Sequence, residues 1–141
     1  MSCRKLLVTN NPLLNSNIRC AEFVEGDSLN VLIRARDLVH SGWKLLSHPL
    51  YGNLRPHQHP YRSVLLEYAR EEKTQQVPDM QSLDYMENAL AVYSAEKSRI
   101  PSDGDMPEDV RTDFAFLDAE LMKESLSRYG LWPREDLKNS H

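Results

Sequence analysis

The sequence contains no long apolar run. The apolar stretches near residues 6–8, 43–46 and 64–66 are each a few residues long, against the roughly 20 needed to cross a bilayer as a helix. A membrane span is therefore not expected. Arg4 and Lys5 ahead of residues 6–8 imitate the start of a signal peptide, but Thr9, Asn10, Asn11 and Pro12 end the apolar stretch too early. Cysteine is scarce. Cys3 and Cys20 form neither a CxxC pair nor a framework, and they read as free thiols in a reducing cytoplasm. The five glycines spell no GxGxxG and no P-loop, which removes the dinucleotide and nucleotide fingerprints. There is no basic excess either: 17 Lys and Arg stand against 21 Asp and Glu. Bulk nucleic-acid binding needs a clustered basic face to displace counterions, so it is excluded as an expectation. No internal repeat and no low-complexity tract is visible, and no resident cofactor is implied.

What is present fits a small α/β protein. With 141 residues, 40% apolar and 27% charged, the chain is long enough to bury a core without staples. Residues 5–8 read as a buried strand, stopped by the Thr9 to Pro12 turn, and residues 12–17 as a turn or one short helical turn. Residues 18–24 read as a second strand. Asp27 or Ser28 can cap a helix running to about Ser41, because either side chain can accept from an orphan backbone N–H. Gly42 is placed to end that helix. Residues 43–46 give a third strand, and strand–helix–strand implies a βαβ unit with parallel strands. A fourth strand, residues 62–68, has no direction fixed by the pattern. A polar linker over 69–77 follows, then two helices, 79–99 and 107–129, read as a hairpin. The expectation is a single domain over 1–130: a Rossmann-like sheet of about four mainly parallel strands, flanking helices and a C-terminal helical hairpin. Residues 131–141 form a tail with frayed last residues.

Chemistry is concentrated in residues 47–63, SHPLYGNLRPHQHPYRS, which hold three of the five histidines and three of the eight prolines. Proline fixes φ and removes a donor, so this is a shaped loop. In parallel sheets ligands bind beyond the carboxyl ends of the strands. Those ends carry Asn10 and Asn11, then Glu25, Asp27 and Ser28, then Ser47 and His48, with Gly52 and Tyr61 in the roofing loop. The ligand-binding candidates are accordingly Asn10, Asn11, Glu25, Ser47, His48, Gly52 and Tyr61. The competing reading is that such residues only cap turns and helix ends. His48 is the catalytic candidate, since an imidazole titrates near neutral pH. Adjacent Ser47 and His48 would point to opposite faces of a strand, which weakens a nucleophilic pair. His57 and His59 have HxH spacing suited to zinc, yet no second ligand pair supports a metal. Asp118, between two apolar stripes of the last helix, is either a buried paired carboxylate or an edge residue reaching water, and the second is commoner. Tyr85, Val92 and Phe116 on the two last helices look like an interface, so a homodimer through the hairpin is expected.

These residues resemble a known family. Thr9-Asn10-Asn11-Pro12 after a first strand, Glu25-Gly26, Arg36-Asp37 and the loop pattern HPLxGxxxPxxxPYxS are similar to the GrdX family. In the loop the matching positions are His48, Pro49, Leu50, Gly52, Pro56, Pro60, Tyr61 and Ser63, while His57 and His59 fall outside the pattern. The family comprises small proteins of anaerobic bacteria encoded beside glycine, sarcosine and betaine reductase genes. The resemblance implies a cytoplasmic accessory role near amino-acid reduction, with a reductase component as partner, and assigns no catalytic residue. Three functions compete. The first is a non-catalytic accessory or regulatory protein binding a small ligand or a reductase component. The second is a small enzyme using His48 as acid or base, with Asn10 and Asn11 orienting substrate. The third is a structural partner docking through the helical hairpin.

Overall fold

The computed structural model describes residues 3–53, 55–68, 79–135 and 137. The expected linker over 69–77 and the frayed residues 138–141 lie outside the described residues.

Four strands form one sheet: β1 (Lys5–Thr9), β2 (Ala21–Phe23), β3 (Trp43–Leu45) and β4 (Ser63–Tyr68), in the order β2-β1-β4-β3. β1 pairs with β2 in parallel, with Leu7 opposite Ala21. β4 lies antiparallel to both β1 and β3, with Val8 opposite Val64 and Leu45 opposite Leu66. The sheet is therefore mixed, and the mainly parallel Rossmann-like expectation is corrected. β1, β2 and β3 do run the same way, but β4 is inserted between β1 and β3, so β2 and β3 sit at opposite edges rather than side by side.

Side chains alternate across a strand, and here both faces are apolar. Val8, Val64 and Leu66 face one layer and Leu7 and Leu65 the other. The first layer holds α2 (Ser28–His40) and α3 (Met80–Ala95), supplying Val31, Leu32, Ala35, Met86 and Tyr93. The second holds α1 (Pro12–Asn17) and α4 (Glu108–Arg128), supplying Leu13, Leu14, Ala119, Met122 and Leu126. Each fully buried Leu or Met contributes about 1.5–3 kcal/mol, so neither face could be left open. The hairpin expected from the last two helices is thus not formed. α3 lies on the α2 side and α4 on the α1 side, because two apolar sheet faces need two helical layers. Leu131, Trp132 and Leu137 fold back onto the α4 side of the core.

Helix starts follow local chemistry. Asn11 caps α1 by accepting from the Leu13 N–H, with Pro12 in the first turn. Asp27 caps α2 in a capping box with Asn30. Asp79 caps α3 by accepting from the Ser82 N–H at 3.0 Å. Gly42, with φ +104°, takes the chain from α2 into β3. Cys3 and Cys20 are joined in a disulfide between the segments entering β1 and β2. This corrects the free-thiol reading: parallel β1 and β2 bring their entry points together, which spacing alone does not reveal.

Candidate functional site

The carboxyl ends of β1, β2 and β3 and the start of β4 share one edge of the sheet. At this edge a polar cluster is closed inside the protein. Thr9, Asn11 and Ser63 are fully buried, and Asp118 of α4 is 2% exposed. The Asp118 carboxylate accepts from Asn11 Nδ2 at 3.0 Å, from Ser63 Oγ at 2.8 Å and from the Tyr51 hydroxyl. The bonds have a direction. Ser63 has one O–H, which goes to Asp118, so across its 2.7 Å contact with Thr9 it is Thr9 that donates. Thr9 Oγ1 accepts in turn from the Asn11 N–H at 2.9 Å. A single ordered chain therefore ends on the carboxylate.

Arg62 enters the same edge from the start of β4 and is 2% exposed. Its Nε and Nη2 donate to the Tyr93 hydroxyl at 3.2 and 2.8 Å, and Nη1 donates to the Tyr51 carbonyl at 2.9 Å. Its guanidinium lies over the rings of Tyr51 and Tyr93. Tyr51 thus joins a buried cation to a buried anion, carbonyl to Arg62 and hydroxyl to Asp118. Burial first, and then the Asp118 charge, hold the Tyr51 hydroxyl well above its ordinary pKa, so it stays a donor.

The loop expected to roof this edge does so. His48 Nδ1 accepts from the Leu50 N–H at 3.0 Å and its ring lies 4.9 Å from that of Tyr85 on α3. His57 lies 3.8 Å from Glu96 beyond α3. On the opposite layer Gly52 lies under Leu121, and His59 packs edge-on against Phe114 at 4.9 Å. The loop straddles the sheet edge and is fastened to a helix on each side.

The predicted site residues divide into two groups. Asn10, Asn11, Ser47 and Tyr61 are buried. Asn10 donates to the carbonyls of Gly26 and Pro60 and accepts from the Arg62 N–H. Ser47 accepts from the Leu65 N–H. Glu25, His48 and Gly52 are exposed. His57 and His59 face different elements, and among the described residues no group of three His, Cys, Asp or Glu could hold a metal. His59 is 1% exposed. Its Nδ1 accepts from the Tyr61 N–H, its Nε2 is buried without a partner, and burial lowers its pKa. Tyr85, Val92 and Phe116 are 38%, 45% and 41% exposed, but α3 and α4 lie on opposite layers. The expected interface residues are therefore divided between two layers, Tyr85 and Val92 on α3 and Phe116 on α4.

Sequence reading missed Arg62, Tyr51 and Tyr93 and favoured the wrong environment for Asp118. The available signal was a carboxylate set between two apolar stripes of the last helix. Away from this edge, a groove of about 420 Å³ runs between α2 and α3, lined by residues including Leu29, Ile33, Arg36, Glu87 and Lys97.

Fold and site together define a small α/β protein whose mixed sheet closes one edge over an internal carboxylate. Residues 6–127 match the family described as GrdX-like protein, and the chain belongs to that family. No curated protein and no solved structure matches it. Among the described residues no helix is long and apolar enough to cross a membrane.

Proposed function

We propose that the protein is a non-catalytic accessory or regulatory protein of the glycine, sarcosine and betaine reductase system. In this reading it acts in the cytoplasm and recognises a reductase component, or a small ligand of that system, at the strand-end edge. The observation that carries it is the saturation of the Asp118 cluster. Thr9, Asn10, Asn11, Ser63 and Tyr51 direct their polar groups at one another and at the main chain. Such groups fix a surface rather than present a reacting atom. Above them the loop offers exposed His48 and Gly52 on a base fastened to both helical layers, with exposed Glu25 beyond the end of β2.

The geometry weighs against His48 as a general base. Its Nδ1 lone pair is occupied by the Leu50 N–H, which leaves the neutral ring protonated at Nε2 and without a free acceptor. Docking or self-association can use α3 or α4, but one two-fold contact cannot use both, since they lie on opposite layers. Of the two, α4 carries adjacent exposed Phe116 and Leu117 and is the better candidate for a homodimer.

Purified protein immobilised against each separate reductase component tests the reading. Binding at micromolar concentration to one component, weakened about tenfold by His48→Ala with Tyr85→Ala, is expected, a loss of about 1.4 kcal/mol. Absence of binding to every component, or a double variant that binds equally well, would falsify it.

A further inference from the structure

Neither the strand-edge cluster nor its roofing loop makes use of the Cys3–Cys20 pair. The two Cα atoms are 6.0 Å apart, a distance typical of natural bridges, and the residues are 17 positions apart in sequence. Main-chain bonds hold Cys20, and the residue next to Cys3, independently of the sulfurs. The Leu7 N–H donates to the Cys20 carbonyl at 2.8 Å, and the Tyr68 N–H donates to the Arg4 carbonyl at 2.7 Å. Cys20 is thereby tied to β1, and the residue after Cys3 is tied to β4. The cysteines stay neighbours when the sulfur bond is open, so closure is intramolecular at high effective concentration. Cys3 is exposed and Cys20 half-buried, which offers one sulfur to an incoming thiolate. Arg4 and Arg19, both exposed, adjoin the pair in sequence.

We propose that Cys3 and Cys20 form a reversible thiol–disulfide exchange site whose substrate is a dithiol. A thiolate of the dithiol attacks Cys3 Sγ. The bond between the two cysteine sulfurs breaks, and Cys20 leaves as a thiolate and takes up a proton. The second thiol of the reductant then attacks its own sulfur in the mixed disulfide and releases Cys3 as a thiol. Two electrons and two protons pass to the pair, and the dithiol is oxidised to a disulfide. Oxidised dithiol reverses the sequence.

The experiment uses the native full chain in buffers of reduced and oxidised dithiothreitol, without denaturant, quenched by alkylation and counted by mass. The pair is expected to reach the same end point from both directions with unchanged far-UV circular dichroism. Closure should have a half-time independent of protein concentration. A pair that opens only in denaturant, or that once opened does not close again, overturns the proposal. The point of attack is read from single-thiol variants treated with glutathione disulfide. Cys3 in Cys20→Ala should react about tenfold faster than Cys20 in Cys3→Ala, because access governs exchange rates. Equal rates, or a faster Cys20, overturn the assignment of Cys3 as the attacked sulfur.

Discussion

Replacing Asp118 by Ala would remove the acceptor on which the strand-end cluster converges. The carboxylate takes three hydrogen bonds, from Asn11, Ser63 and Tyr51, at a position 2% exposed. Each bond to a charged group contributes about 1.5–3 kcal/mol, and a buried donor left without a partner costs about 1–3 kcal/mol. The Asn11 amide has a second acceptor in the Ala115 carbonyl at 2.9 Å, and the Ser63 hydroxyl can turn back toward Thr9. The Tyr51 hydroxyl has no such substitute among the bonds described. The full sum is therefore not reached, and a loss of about 3–5 kcal/mol is expected, the usual result of removing one member of a buried charged network. Asp118→Asn keeps the shape but turns one acceptor into a donor. Tyr51 can still accept from it, so the cost falls to about 1–3 kcal/mol. Urea unfolding at neutral pH measures both as shifts of the midpoint at constant slope. A cycle with Tyr51→Phe should give a coupling of about 1–3 kcal/mol. Hydrogen exchange should show residues 49–61 loosening before the β1–β4 centre. An Ala variant losing under about 1 kcal/mol, or a strictly additive double variant, refutes the role given to the cluster.

Other outcomes follow from single features. His59 is held below its ordinary pKa mainly by burial, against the opposing Asp118 charge and alongside the repelling Arg62 cation. Its native state resists protonation, so stability present above the unfolded value of about 6.5 declines as pH falls below it, by at most about 1.4 kcal/mol per pH unit. Urea midpoints followed through this window should fall less steeply for His59→Phe, and identical slopes would count against the burial argument. Asp79→Ala should cost about 1 kcal/mol at neutral pH through loss of the α3 cap. The Ser82 hydrogen bond holds this carboxyl below its usual range, so the difference should vanish in acid, as pH falls through the folded-state value below about 3.9; a gap unchanged in acid would refute it. Gly52→Ala combines φ +82° with a Cβ 2.9 Å from Leu121, and a loss of at least about 1–2 kcal/mol in thermal or urea unfolding is expected. A neutral variant would show that the turn is not held as described.

Element starts were legible because they depend on neighbours a few residues away. Pro12, Asp27 and Gly42 each marked a boundary by local geometry, and the apolar stripes of the last helix located α4. The convergence of the β1, β2 and β3 ends was also legible from the strand–helix–strand order. The placement of β4 was not. Its apolar run fits either direction, and only a sheet buried on both faces decides that it lies between β1 and β3. The hairpin expectation failed for a similar reason, since a stripe shows that a helix is packed but not which layer receives it. Asp118 depended on Ser63, Asn11 and Tyr51, which are 55, 107 and 67 residues away. The cysteine pairing likewise arose from parallel strand entry, not from spacing.

The antiparallel strand at the centre of the sheet also bears on how the chain is assembled. The innermost pairing, β1 with β4, joins Thr9 to Ser63, and the Asp118 contact with Asn11 spans 107 residues. Contacts of such separation form slowly, because the intervening chain must be ordered first. During synthesis β1, α1 and β2 can meet early, yet one side of β1 stays unpaired until β4 is made. The strand-end carboxylate arrives later still, with α4. An early intermediate would therefore expose the apolar edge of Leu6 to Val8, and its vulnerability to misassembly ends only when the last long helix docks.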